Sequence, residues 1–179
     1  MHTSKKKMIQ LLTGMVLVLF GIGLDQITKY LAVLYLKEKA AIPIIPEIFE
    51  LFYLENHGAA FGILQGQKIF LIAVTAATMI LLAYLYIRIP EDKHYLYVRM
   101  IILLLISGAI GNFIDRCLHD YVIDFFYFKL IDFPVFNVAD IYVTVATVLL
   151  VLLFCFYYKE EDIDFLIDQI LFWKRKEKH

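Results

Sequence analysis

The sequence has no excess of charge of either sign. Its 179 residues include 17 Lys and Arg against 18 Asp and Glu, which gives a formal net charge of −1. The basic residues form no stripe, so the electrostatic footprint of a nucleic-acid-binding protein is missing and we expect no nucleic-acid partner. Internal repeats, low-complexity segments and metal-binding spacings such as HExxH are also missing. Repeat architectures are therefore excluded, and a zinc-peptidase motif has no support.

Hydrophobic residues dominate what is present. They make up 61% of the chain, and the mean hydropathy is +0.73. Ordinary soluble domains are only about 45–50% apolar, so the composition predicts a membrane protein. A helix needs about 20 residues to cross a bilayer. Four apolar segments are of that order, at residues 8–36, 69–89, 98–117 and 141–158.

The four predicted spans and the segments between them form one predicted domain, residues 1–158, because too few residues remain for a second soluble domain. Its two long loops are residues 37–68 and 118–140. Eleven Lys and Arg lie in the N-terminal tail, the loop between spans two and three, and the C-terminal tail, whereas five lie on the opposite side. The positive-inside rule then predicts that both termini are cytoplasmic and both long loops face outward.

The first long loop and the C-terminal tail each carry a secondary-structure signal. Residues 48–55 are rich in aromatic and aliphatic side chains, which predicts a β-strand. In the tail, residues 159–179, apolar side chains recur at helical spacing, and acids precede bases as the helix dipole favours. We expect a cytoplasmic amphipathic helix that lies on the inner membrane surface. Its apolar positions are Ile163, Leu166, Ile167, Ile170 and Leu171.

The polar side chains of the predicted spans and their flanking loops collect at one depth, near the outer ends of the helices. The inner halves of the same helices carry almost none. Because carboxylates are costly near hydrocarbon, they usually mark a functional site there. The set comprises Asp25, Lys29, Asn56, Asn112, Asp115, Arg116, Asp124 and Asp140.

Several of these residues also have a purely structural interpretation. Asp25 and Lys29 are four residues apart and could form only an ion pair on one helix face. Asn137 could simply cap the fourth span, which would leave Asp140 in its first turn. For these residues the sequence leaves both interpretations open.

The outer end of span three is open to similar interpretations. Asp115 and Arg116 could be interfacial anchors, and the small residues before them predict a helix-packing face. Those small residues are Ser107, Gly108, Ala109 and Gly111. Asp124 is different, because it lies between "YVI" and "FFYF", where an acid needs a partner. Another acid would be a peculiar partner unless the two serve chemistry.

Two carboxylates that share a site cannot both ionise cheaply, so one of them keeps a proton. The ionised acid can then accept a proton from water while the protonated acid donates to a carbonyl oxygen. This is the chemistry of aspartic peptide hydrolysis, and it needs no metal. Composition and depth thus make Asp124 and Asp140 a plausible paired-acid site, without naming a substrate.

Other classes of protein remain to be weighed. A thiol peptidase would use Cys117 with His57 or His119, and the same histidines with an aspartate are a possible zinc site. A small transporter or structural membrane protein predicts polar groups near the midplane on broken helices. Cys117 and Cys155 lie near opposite ends of their spans, too far apart for a disulfide.

Five short motifs occur in a fixed order along the chain. They are "DQITK" at 25–29, "NHGAAFG" at 56–62, "GNFIDR" at 111–116, "VIDFF" at 122–126 and "FNVAD" at 136–140. Together they resemble the bacterial lipoprotein signal peptidase (signal peptidase II) family. The resemblance covers about residues 10–158, and the tail from Lys159 lies outside it.

The resemblance implies an intramembrane aspartic endopeptidase of the bacterial inner (cytoplasmic) membrane. Its fold would be mainly α, with four transmembrane helices and a small extracytoplasmic β-sheet cradle built from the first loop. It would cut prolipoproteins just before a cysteine that already carries diacylglycerol. The implied partners are these substrates and membrane lipid, and no cofactor or metal is implied.

The resemblance also assigns roles to individual positions. Asp124 in "VIDFF" and Asp140 in "FNVAD" would be the catalytic pair. Asp25 and Lys29 would support the fold beside it. The positions that would orient substrate and hold the site are Asn56, Asn112, Arg116 and Asn137. The small positions that would permit close approach are Gly58, Gly62, Gly108 and Ala139.

Overall fold

The computed structural model describes residues 2–58 and 64–171 and is mainly helical. Its helices are α1 (His2–Leu36), α2 (Lys68–Arg88), α3 (Leu96–His119), α4 (Val138–Phe156) and α5 (Glu160–Leu171). Its strands are β1 (Ile42–Ile45), β2 (Phe49–Asn56) and β3 (Val122–Tyr127). Within the described residues, four helices are long and apolar enough to cross a membrane. The predicted fold class is confirmed, with the four spans within a few residues of their expected bounds.

Local sequence signals explain where the spanning helices begin and end. Helix α2 ends at Arg88, two residues before Pro90, which cannot continue a helix. Helix α3 ends where Asp120 adopts a left-handed conformation, with φ of 72°. Helix α4 begins at a capping box formed by Asn137 and Asp140. The predicted cap of the fourth span is therefore confirmed.

Helix α3 is the centre of the bundle and packs against α1, α2 and α4. In its most apolar stretch 44% of the residues are buried inside the protein, compared with 11% for each of the other three spans. The outward faces of α1, α2 and α4 are therefore left for lipid, as membrane-spanning helices require.

The three strands form one antiparallel sheet in the order β1-β2-β3. The predicted strand at 48–55 is confirmed as β2. The resemblance implies a sheet built from the first loop, and the structure adds a third strand from the second loop. Strand β3 is apolar enough to be buried, and its Ile123 and Phe125 pack against Ala32 and Leu36 of α1. We call the end of the bundle that carries this sheet the sheet end.

The predicted tail helix is present as α5 and packs onto the opposite end of the bundle. Leu166 is buried in a cluster with Tyr86, Tyr95 and Tyr158. The Tyr84 hydroxyl also donates a 2.5 Å hydrogen bond to the carbonyl oxygen of Ile170. One apolar stripe of α5 thus contacts protein. The expected contact with the membrane surface remains a prediction, and residues 172–179 lie outside the described part of the chain.

Candidate active site

Asp124 and Asp140 reach the same cavity from different elements. Asp124 is on β3 and is only 1% exposed, whereas Asp140 is in the first turn of α4. The cavity has a volume of about 1090 Å³, and Asn112 and Arg116 also line it. The sheet and the start of α4 therefore bring together the two acids that we expected to share a site.

Two asparagines connect the two acids. Asn137 donates from Nδ2 to Asp124 Oδ1 at 2.6 Å, and Asn112 donates from Nδ2 to Asp140 Oδ1 at 2.8 Å. The Asn137 amide also donates to Asn112 Oδ1 at 3.1 Å. A third asparagine, Asn56, donates to the other oxygen of Asp124 at 2.9 Å. The positions of both carboxyls are thus fixed by neutral amide groups.

The capping box holds Asp140 from its other side. Asp140 Oδ2 accepts the N–H of Asn137, and Asn137 Oδ1 accepts the N–H of Asp140, both at 3.1 Å. Asn137 therefore caps α4 and contacts Asp124 at the same time. The sequence had left these two interpretations as alternatives, and the structure shows that they are compatible.

Burial and the neighbouring Asp140 carboxyl raise the pKa of Asp124 from its usual 3.8 to about 7. Hydrogen bonds from Asn56 and Asn137 and the charge of Lys29 oppose this shift of the pKa. Burial and the proximity of the two carboxyls therefore favour retention of a proton by the pair. One protonated and one ionised acid is the state that acid–base hydrolysis requires.

A buried ionic cluster lies directly behind the two acids. Lys29 Nζ is 2.8 Å from Asp25 Oδ2 and 2.9 Å from Asp115 Oδ2. It also donates to Asn112 Oδ1 at 3.0 Å. All three charged residues of this cluster are at most 1% exposed. The expected pairing of Asp25 with Lys29 is confirmed, and this pair contacts the site through Asn112.

Asp115 is not the interfacial anchor that one interpretation suggested. Asp115 is buried, and two contacts offset the cost of burying its charge. It shares Lys29 with Asp25, and its Oδ2 accepts the N–H of Ile123 at 3.1 Å. The resemblance assigns no role to Asp115, although it belongs to the polar set at the outer ends of the helices. Its spacing was a usable signal, since Asn112 and Asp115 are three residues apart and share a helix face.

Arg116 is half-buried and contacts the segment that follows β2. Its Nη2 donates to the Gly58 carbonyl at 3.1 Å, and the N–H of Gly58 donates to Asn56 Oδ1 at 2.9 Å. Arg116 therefore steadies the backbone beside Asn56 instead of acting only as an interfacial anchor. Gly62 lies outside the described residues.

Two small residues of α3 permit the close packing that the site needs. A Cβ added to Gly108 would lie 2.6 Å from the carbonyl oxygen of Ala139, and one added to Gly111 would collide with the Asp25 carboxylate. Ala139 itself is fully buried and donates its N–H to Asp25 Oδ1 at 2.9 Å. The predicted packing face is confirmed at Gly108 and Gly111.

The geometry gives the rival classes little support. Cys117 is exposed, and the rings of His57 and His119 both pack against Tyr121. Among the described residues, no group of three or more His, Cys, Asp or Glu side chains could hold a metal ion. The polar cluster lies at one end of continuous helices, whereas a transporter site is expected near the midplane of broken ones.

Comparison with known proteins connects this site to one family. The family profile described as Signal peptidase (SPase) II matches residues 17–156. The lipoprotein signal peptidase of Caldanaerobacter subterraneus subsp. tengcongensis is 46% identical over 138 residues, covering 76% of this chain and 92% of that protein. The lipoprotein signal peptidase of Streptococcus thermophilus is 42% identical over 147 residues, covering 82% and 93%.

Solved structures agree with the sequence comparison. Two are described as "Bacterial membrane enzyme structure by the in meso method", and both are 32% identical to this chain. One has a TM-score of 0.67 and covers 93% of each chain. The other has a TM-score of 0.69 and covers 82% of this chain and 94% of that chain.

Proposed function

The chain belongs to the signal peptidase II family, and we propose that Asp124 and Asp140 are the catalytic pair with which it cuts prolipoproteins. It is a multi-pass bacterial membrane protease that removes signal peptides from prolipoproteins. The observation that carries the assignment of the pair is the linkage of the two acids through Asn112 and Asn137 at the wall of one cavity.

In the proposed mechanism the two acids share one proton. The ionised carboxyl accepts a proton from water as the water oxygen attacks the scissile carbonyl carbon, and the protonated carboxyl donates to the carbonyl oxygen. When the C–N bond of the tetrahedral intermediate breaks, the leaving nitrogen takes a proton from the pair, and the intermediate's hydroxyl returns one. Because a coupled pair titrates as a unit, the roles of acid and base belong to Asp124 and Asp140 together.

The surrounding polar residues would hold this arrangement and orient substrate. Asn56, Asn112 and Asn137 donate to the two carboxyls and leave their outward lone pairs for water and the scissile bond. Arg116 and Gly58 would fix the segment beside Asn56, where the substrate backbone passes. Asp25, Lys29, Gly108 and Ala139 would support the site from behind.

The cavity also suits a lipid-bearing substrate. Phe52 and Leu54 of β2 and Ile141 and Val145 of α4 line it with partly exposed apolar surface. We propose that acyl chains of a diacylglyceryl-modified cysteine, and membrane lipid beside them, contact this surface. Bound chains would fix the scissile bond relative to the acids, and such orientation accounts for much of enzymatic rate enhancement. The cut would fall just before the modified cysteine.

The orientation of the protein follows from its basic residues. Eleven Lys and Arg in the N-terminal tail, the loop between spans two and three and the C-terminal tail, against five in the two long loops and the adjoining helix ends, favour cytoplasmic termini and a site near the outer face of the membrane. A prolipoprotein exported as far as its signal peptide would then present its cleavage site at the depth of the two acids. The near-neutral net charge supports no nucleic-acid partner.

The test compares purified wild-type protein with Asp124→Asn and Asp140→Asn, each incubated with a diacylglyceryl-modified proprotein and with its unmodified form. Wild-type protein should cut the modified form in preference, and each variant should lose turnover by about 10²–10⁴-fold or more, the usual contribution of acid–base catalysis. Cys117→Ala and added chelator should leave cleavage unchanged. Near-normal cleavage by either Asn variant would refute the pair.

A further inference from the structure

A second pair of buried acids stands directly behind the proposed catalytic pair. Asp25 Oδ1 accepts the N–H of Ala139 at 2.9 Å, and Ala139 is the residue immediately before Asp140. Asp115 Oδ2 accepts the N–H of Ile123 at 3.1 Å, and Ile123 is the residue immediately before Asp124. We call Asp25 and Asp115 the rear acids and Asp124 and Asp140 the front acids. Each rear acid therefore binds the backbone N–H of the residue that precedes one front acid.

Lys29 joins the two rear acids. Its ammonium has three N–H donors, and each has an acceptor: Asp25 at 2.8 Å, Asp115 at 2.9 Å and Asn112 at 3.0 Å. Gln26 adds a second link, because its Nε2 donates to Asp115 Oδ1 at 3.0 Å and to Asp25 Oδ2 at 3.2 Å. The cluster has a fixed geometry with its donors and acceptors paired.

The carboxyls of the two front acids must be held at a fixed separation. Asp124 is on a strand and Asp140 is on a helix, and both elements pack on α1 and α3. Their local structure alone does not set the separation of the two carboxyls. A misplacement of about 1 Å can lower an enzymatic rate by about 10²-fold, so the backbones of β3 and α4 must be fixed relative to each other.

We propose that Asp115 and Asp25 are positioning residues that set the separation of the Asp124 and Asp140 carboxyls through Lys29. This inference rests on the proposed catalytic pair. A purely ionic role for the cluster would make charge the important property. A positioning role makes the location of the oxygen that accepts the Ile123 N–H the important property, and this oxygen can be moved independently of the charge.

The test uses two substitutions of Asp115 that separate charge from location. Asp115→Asn keeps an oxygen at the acceptor position and removes the charge. Asp115→Glu keeps the charge and displaces the carboxylate by one methylene. We expect kcat per folded molecule to fall by less than about tenfold for Asn and by about 10²-fold for Glu, with KM for a lipidated proprotein within about threefold of wild type. The folded fraction is measured by size-exclusion chromatography in detergent.

The matched control is Ser107→Ala on the same helix. Ser107 is buried and donates within α3, to the Leu103 carbonyl at 2.9 Å, so its loss should leave kcat unchanged. Asp124→Asn is measured in parallel. If it retains turnover, the catalytic pair itself is wrong. If it is inactive while Asp115→Glu is as active as Asp115→Asn or more so, the pair stands and the positioning role is refuted. An Asn variant that cannot fold would assign Asp115 to stability and also refute it.

Discussion

The side chain of Asn137 donates a 2.6 Å hydrogen bond to Asp124 while its own oxygen caps the helix that carries Asp140. The same amide therefore ends a loop, begins a helix and connects the two acids. A substitution at this residue affects fold stability and the geometry of the acids together. The two effects can be separated because a hydroxyl can replace the helix cap but not the link to Asp124.

We expect Asn137→Ser to separate them. A serine hydroxyl is a good N-cap, whereas Ala at a cap position costs about 0.5–2 kcal/mol of stability. Thermal unfolding in detergent should therefore show a lower midpoint for Asn137→Ala than for Asn137→Ser. Both variants lose the link to Asp124 and to Asn112, so both should turn over at least about tenfold more slowly, as for other lost positioning contacts. Recovery of wild-type kcat by the serine variant would contradict this account of the link.

The raised pKa of Asp124 predicts how stability depends on pH. The folded state holds this proton up to about pH 7, whereas an ordinary carboxyl releases it near 3.8. The folded state thus binds the proton more tightly, and this contribution to stability is complete below about pH 4 and is lost as the pH rises through 7.

Asp124→Asn removes that dependence, because the amide stays neutral. The unfolding temperature of the variant, relative to that of wild type, should therefore be higher at pH 8 than at pH 4. Thermal unfolding in detergent at the two pH values measures the difference, with Ser107→Ala as the control that should show no pH-dependent gain. A difference from wild type that is the same at both pH values, or smaller at pH 8, would contradict the raised pKa.

Local patterns predicted much of this protein, and long-range contacts account for what they missed. The four spans, strand β2, the Asn137 cap and the Asp25–Lys29 pair all follow from periodicity or from spacings within one helix. The role of Asp115 does not, because its partners Lys29 and Ile123 belong to other elements.

The sheet shows the same division. Strand β3 belongs to the second loop, and its pairing with β2 places Asp124 opposite Leu54. A sequence pattern indicates a strand but not which strand it will pair with. The position of Asp124 in the sheet, and so its distance from Asp140, is decided by tertiary contacts that a single sequence does not display.

Gly108→Ala should damage the site without changing any polar group. The added Cβ would lie 2.6 Å from the Ala139 carbonyl oxygen, and backbone cannot move aside as a flexible side chain can. Helix α4 must shift away from α3, and Asp140 shifts with it. We expect a fall in kcat of about 10-fold or more, together with a destabilisation of about 1–3 kcal/mol typical of overpacking.

A matched variant is available at Gly23 of α1, where an added Cβ meets nothing within 4 Å. Gly23→Ala should keep wild-type kcat and gain slightly in stability, since Ala is the better helix former by about 1 kcal/mol. Equal effects of the two substitutions on kcat would show that the contact of α3 with α4 does not control the site.

Two adjacent apolar residues of the tail helix α5 differ in burial: Leu166 is 4% exposed and Ile167 is 46% exposed. Leu166 packs with Tyr86, Tyr95 and Tyr158 at the end of the bundle opposite the sheet. Leu166→Ala should therefore destabilise the protein by about 2–5 kcal/mol, as for other buried leucines. Ile167→Ala should cost much less stability, and both variants should keep wild-type kcat per folded molecule, because the two acids lie at the sheet end.

Removal of residues 160–179 should likewise lower the unfolding temperature, while the cleavage rate per folded molecule stays close to that of wild type. Loss of cleavage by a truncated protein that remains folded would show that α5 acts on the site, and would contradict a purely stabilising role for the tail.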